Sequence, residues 1–200
     1  MVNKIIKILL IILLTILVVG LIAVFVLLLN NKIDLNISQS KLIYDEIITE
    51  SFNNIQVSTK SLDIKLIKSN NLKANVKVYD RKDNELSVKV EDNTLKIENE
   101  RHTSWCFLCF GESKVVISLP EKEYDLVVNA TSGDIDIDNL TIMKDSNIKV
   151  KSGDVTINKT ADNIYYNATA TSGDVKITNN NRHADYELKI DTKSGDIKVK

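Results

Sequence analysis

Four of the chain's six glycines sit in one recurring tripeptide, Ser-Gly-Asp, and the copies are evenly spaced. They are Ser132-Gly133-Asp134, Ser152-Gly153-Asp154, Ser172-Gly173-Asp174 and Ser194-Gly195-Asp196, at steps of 20, 20 and 22 residues. A fixed period of this size marks a repeat architecture, in which each copy buries its apolar face only against its neighbours. Such a chain has little room for an enclosed enzyme pocket.

The flanking residues show how one copy is built. Two positions before each Ser stand Ala130, Val150, Ala170 and Thr192, and four before stand Val128, Ile148, Ala168 and Ile190. Three after come Ile135, Val155, Val175 and Ile197, then Ile137, Ile157, Ile177 and Val199 at five after. Both flanks alternate with period two, the signature of a half-buried strand. The inward positions −2 and +3 are an odd number apart, so the chain changes phase at the tripeptide. Glycine adopts the backbone angles this requires without a Cβ clash, and the tripeptide reads as a corner.

Short strands joined by stacked corners predict an all-β, single-domain β-solenoid, like a parallel β-helix with coils of about 20 residues. Successive copies would stack in chain order, about 4.8 Å apart. Lys198 and Lys200 would then guard the open edge of the last coil. A weaker copy begins upstream, where Ile55, Val57, Ser61, Asp63, Ile64 and Leu66 match the pattern and Leu62 replaces the glycine. The domain is expected to cover 44–200 with about seven coils, some 35 Å of rise.

Residues 8–29 carry no charge, about the ~20 residues a helix needs to cross a bilayer. Lys4 and Lys7 precede the run, which places the N-terminus in the cytoplasm and the domain outside. The run exceeds a signal-peptide core and no A-x-A-like site follows, so an uncleaved single-pass anchor is expected at the cell membrane. Residues 1–7 would be cytoplasmic and 30–43 a short polar stalk. With 26 basic and 27 acidic side chains, the chain lacks the overall basic balance of a nucleic-acid binder.

Cys106 and Cys109 stand in Trp105-Cys106-Phe107-Leu108-Cys109-Phe110-Gly111. A redox pair would need to open a helix in a βαβ setting, and strand patterns flank this one. A metal site could add His102 but lacks a second ligand pair. A disulfide stapling an irregular extracytoplasmic loop is the favoured reading. Trp105, Phe107, Leu108 and Phe110 either cover part of the core or present an apolar patch to a partner or a membrane. The aspartates Asp134, Asp154, Asp174 and Asp196 could hold calcium, yet one per 20-residue coil fits turn capping better. No catalytic motif is present. Neither an enzyme nor a cofactor is expected, and a polysaccharide-active β-helix is a remote alternative.

The Ser-Gly-Asp-Ile/Val rungs, Val116-Ile117-Ser118-Leu119-Pro120, and Ile55-Gln56-Val57 leading into Ser61-Leu62-Asp63-Ile64 resemble the bacterial putative-adhesin family. The resemblance covers 44–200, most specifically 113–200. It implies a β-solenoid domain of unknown function, often behind one transmembrane helix, with no established catalytic residues. The Trp-Cys loop is not part of that pattern. Two roles follow as expectations. One is an adhesin-like interaction module facing cell-wall polymer. The other is an accessory subunit of an envelope-stress sensing or transport complex, docking on an envelope protein through the aromatic loop.

Overall fold

The structure is a computed structural model and describes residues 2–29, 40–80, 86–99, 113–142, 144, 146–158 and 163–200. It divides into a helical unit and a β unit. The helix, α1, runs Val2–Leu29. Its Leu, Ile and Val residues surround the axis rather than forming a stripe, and no proline interrupts it. Side chains such as Leu13 and Val19 are exposed. Thr15 donates its hydroxyl back to the carbonyls of Ile11 and Ile12, which satisfies the polar group within the helix. Among the described residues no helix is long and apolar enough to cross a membrane. Within α1 the unbroken run of described side chains covers only 9–22.

The β unit is built from rungs. Each rung is a strand in one sheet, a corner, and a strand in a second sheet. In spatial order the first is β6 (Thr94–Asn99) with β7 (Lys114–Pro120), then β2 (Asn54–Thr59) with β3 (Asp63–Ser69). Next come β8 (Glu123–Ser132) with β9 (Ile135–Asp138), and β11 (Ser146–Ser152) with β12 (Val155–Asn158). The last two are β15 (Tyr186–Ser194) with β16 (Ile197–Val199), and β13 (Ile164–Ser172) with β14 (Val175–Ile177). Neighbouring rungs pair parallel, as in Val155↔Ile135 and Ile148↔Ile190. The inward residues of both sheets form one core cluster, with Leu66, Ile97, Val128, Ile135 and Ile190 essentially inaccessible.

Several expectations change here. The rungs do not stack in chain order. β16 lies between β12 and β14, and β15 lies between β11 and β13. The copy at 194–196 is therefore interior, and Lys198 sits on an internal strand rather than guarding an edge. Packing supplies a reason. The copy with small inward residues, Ala168 and Ala170, forms the outer rung, where these two and Ile177 are only partly buried and Val175 is exposed. The copy carrying Leu188, Ile190 and Ile197 is buried completely, which removes more apolar surface from water. The 22-residue step supplies the length to return. Its loop, 178–185, crosses the outer rung, where the Asn180 side-chain amide takes both the N–H and the C=O of Tyr166.

The first half is also more than a degenerate solenoid. β1 (Lys41–Ile48) and β4 (Ala74–Asp80) add antiparallel to β7, and β5 (Leu86–Glu91) adds antiparallel to β6. Asp92 and Asn93, both at positive φ, form the two-residue turn between β5 and β6. A two-residue strand, β10 (Thr141–Ile142), pairs with β8. The described rungs number six rather than about seven, and the first described strand begins at Lys41. The weak upstream copy lies in register with the copy at Ser132: Val57 pairs with Val128, and Ile64 with Ile135.

Candidate functional site

The four tripeptides converge into one column along an edge of the stack. Their glycines have φ between +118° and +145°, and each presses its Cα on the backbone of the next rung. A Cβ at Gly153 would run into the Gly133 carbonyl, and one at Gly173 into that of Gly195. Both the phase change and the close approach therefore demand glycine. Leu62 escapes this requirement, and its carbonyl is what faces Gly133.

The aspartates beside them form a ladder. The backbone N–H of Asp134 donates to the Asp63 carboxylate (2.9 Å), and that of Asp154 to Asp134 (2.9 Å). The N–H of Asp196 donates to Asp154 (2.8 Å), and that of Asp174 to Asp196 (3.0 Å). The donated N–H of Asp174, then Lys198, hold the Asp196 carboxyl below its usual range. These carboxylates act as inter-rung caps. Among the described residues no group of three or more His, Cys, Asp or Glu is arranged to hold a metal ion. Cys106, Cys109, Trp105, Phe107, Leu108 and Phe110 lie outside the described residues. In sequence they fall between β6 and β7.

The outer face of the sheet containing β8 carries a site that periodicity alone does not reveal. A groove of about 450 Å³ is lined by Ser58, Lys60, Glu98, Asn129, Thr131, Lys149, Lys151 and Lys193. It crosses the strands, with Ser58 beside Asn129, Asn129 beside Lys149, and Lys149 beside Asp191. A smaller recess shares Lys149 and Lys193, includes Asp191, and extends toward Thr169 and Thr171 on β13. Lys65, Lys68, Lys77, Lys89, Lys96, Lys144, Lys189 and Lys198 each have a carboxylate partner. None of the four groove lysines has one among the described residues. The signal was present in sequence, since Lys60, Lys151 and Lys193 all occupy position −1. Only the exchanged rung order makes Lys151 and Lys193 neighbours.

A second recess, about 510 Å³, lies by Phe52 and Lys122. Lys122 donates to the Phe52 carbonyl and sits 4.8 Å from the Phe52 ring and 5.3 Å from that of Tyr124. Burial lowers its pKa. Its ammonium is thus engaged with the protein, and this contact is structural.

The Toastrack DUF4097 pattern matches residues 52–200. The chain belongs to the Toastrack DUF4097 family. Among solved structures it is similar to a putative cell adhesion protein from Clostridium sporogenes, with a TM-score of 0.56 at 13% identity. That alignment covers 80% of this chain and 99% of the other. It is also similar to a putative adhesin from Bacteroides fragilis, at 18% identity and a TM-score of 0.39, covering 82% of this chain and 99% of that one. At 13% identity the likeness to the Clostridium sporogenes protein speaks to the fold alone. No curated protein matches the sequence. All four groove lysines fall within the Toastrack region.

Proposed function

We propose that this Toastrack protein is a non-enzymatic envelope protein, held by α1 in the cell membrane, whose β-solenoid unit serves outside the cell as an adhesin-like interaction module. The observation that carries the anchor is the uncharged run 8–29, which falls wholly inside α1. A helix apolar on all sides has no aqueous face, and Lys4 and Lys7 favour a cytoplasmic N-terminus. The module reading is supported by the form of the β unit. Its rungs bury a continuous core, its described corners are short, and its outer faces are mainly polar, a build that presents surfaces rather than encloses substrates. The adhesin names of its structural neighbours are in keeping with this.

Fractionation followed by external protease tests it. The expected result is a full-length protein in the membrane fraction whose β unit is cut or labelled from outside in intact cells. Recovery in the soluble fraction, or protection of the β unit until the cells are lysed, would contradict it.

A further inference from the structure

We infer that the groove across the outer face of the β8 sheet is a binding site for a linear polyanion, a chain bearing closely repeated phosphate or carboxylate groups. This deepens the interaction-module reading and rests on it for where the site would face. Four lysines, Lys60, Lys149, Lys151 and Lys193, converge on the groove against one acid, Glu98. The chain as a whole carries a net charge of −1, so the groove is a local reversal of sign. Asp191, the next acid along the same row, is already ion-paired with Lys189 at 3.5 Å. That leaves Glu98 as the one acid in the groove lining against four ammonium groups.

Spacing argues for a polymer. Lys151 and Lys193 lie on adjacent strands, about 4.8 Å apart in the pairing direction, and Lys60 lies two strands from Lys151, roughly 10 Å. Charges repeated at that interval suit a chain lying across the strands, each anion meeting one or two ammonium groups. Lysine serves here as a point charge that needs no fixed approach angle. The surface is recessed, which fits a thin chain better than a flat bilayer. Among the described residues no aromatic side chain lines the groove, so they offer no stacking platform of the kind that single-stranded nucleic acid uses.

The test is a binding titration with full-length protein in detergent micelles. The probes are inorganic polyphosphate, polyglutamate, neutral dextran, and vesicles containing phosphatidylglycerol. The expected result is binding to polyphosphate or polyglutamate that weakens as salt rises, with no binding to dextran. Lys151→Glu/Lys193→Glu should weaken it about tenfold or more and flatten the salt dependence. Lys151→Gln/Lys193→Gln should act in the same direction, which guards against a folding defect in the charge reversal. Lys65→Gln/Lys89→Gln, at paired lysines elsewhere, should bind as wild type. Equal binding by the groove variants and wild type, equal losses in both lysine pairs, or binding confined to vesicles would overturn the proposal. A protein that is membrane-held yet binds no polyanion sinks this inference and spares the anchored-module reading. Polyanion binding by a protein found soluble does the reverse.

Discussion

The backbone N–H of Asp196 donates to the carboxylate of Asp154, 2.8 Å away and 42 residues earlier in the chain. The copy between them in sequence, at Asp174, lies on the far side of Asp196 and donates to it instead. That exchange determines which side chains share a face. It brings Lys193 beside Lys151 and sends Thr171 to the outer rung.

The corner glycines should tolerate no side chain. Gly153→Ala or Gly195→Ala places a Cβ against a backbone carbonyl at positive φ, and each should cost roughly 3 kcal/mol or more. Gly20→Ala in α1, where nothing lies within 4 Å, should leave the unfolding of the β unit unchanged. Chemical denaturation followed by circular dichroism measures both.

The aspartate ladder should weaken unevenly. Asp154→Ala removes an acceptor from the Asp196 N–H and should cost about 1 kcal/mol. Asp174 ends the ladder, and no N–H donates to its carboxylate among the described residues. Asp174→Ala should therefore cost clearly less in the same denaturation series. Equal losses would mean the carboxylates contribute through something other than these bonds.

Acid should loosen the same column. The Asp196 carboxyl is held below its ordinary 3.8 by the Asp174 N–H and by Lys198. A carboxyl whose folded pKa is depressed stabilises the fold fully above its unfolded value, and that contribution fades as pH falls through the folded value. Melting temperatures should therefore fall below about pH 4, and Asp196→Asn should show a shallower fall there than wild type. A steeper fall in the variant would reverse the sign assigned here.

How far the sequence reaches can be judged residue by residue. The corners were legible because Gly133, Gly153, Gly173 and Gly195 recur with fixed apolar offsets, a local signal. Leu62 could be placed in the same column from its neighbours Asp63 and Ile64. Rung order was not legible, because parallel pairing of Ile148 with Ile190 instead of Ala168 is a contest between distant copies with nearly the same pattern. The difference lies in small terms, such as Ala168 and Ala170 packing less well than Leu188 and Ile190. The antiparallel flanks were hidden for a similar reason, since alternation in β4 and β5 is the same whichever way the strand runs. The lysine groove followed the order, and so it emerged only with the fold.

Crosslinking across Lys149, Thr169 and Asp191 tests that order most directly. Lys149 and Asp191 are in register on adjacent strands, as are Asp191 and Thr169, which leaves Lys149 and Thr169 two strands apart. In a Cys106→Ser/Cys109→Ser background, Lys149→Cys/Asp191→Cys and Thr169→Cys/Asp191→Cys should both oxidise readily to disulfides. Lys149→Cys/Thr169→Cys should not, because roughly 10 Å exceeds the reach of a disulfide. Rapid disulfide formation between positions 149 and 169, with none between 149 and 191, would mean that the copies stack in chain order and that the groove is not built as described.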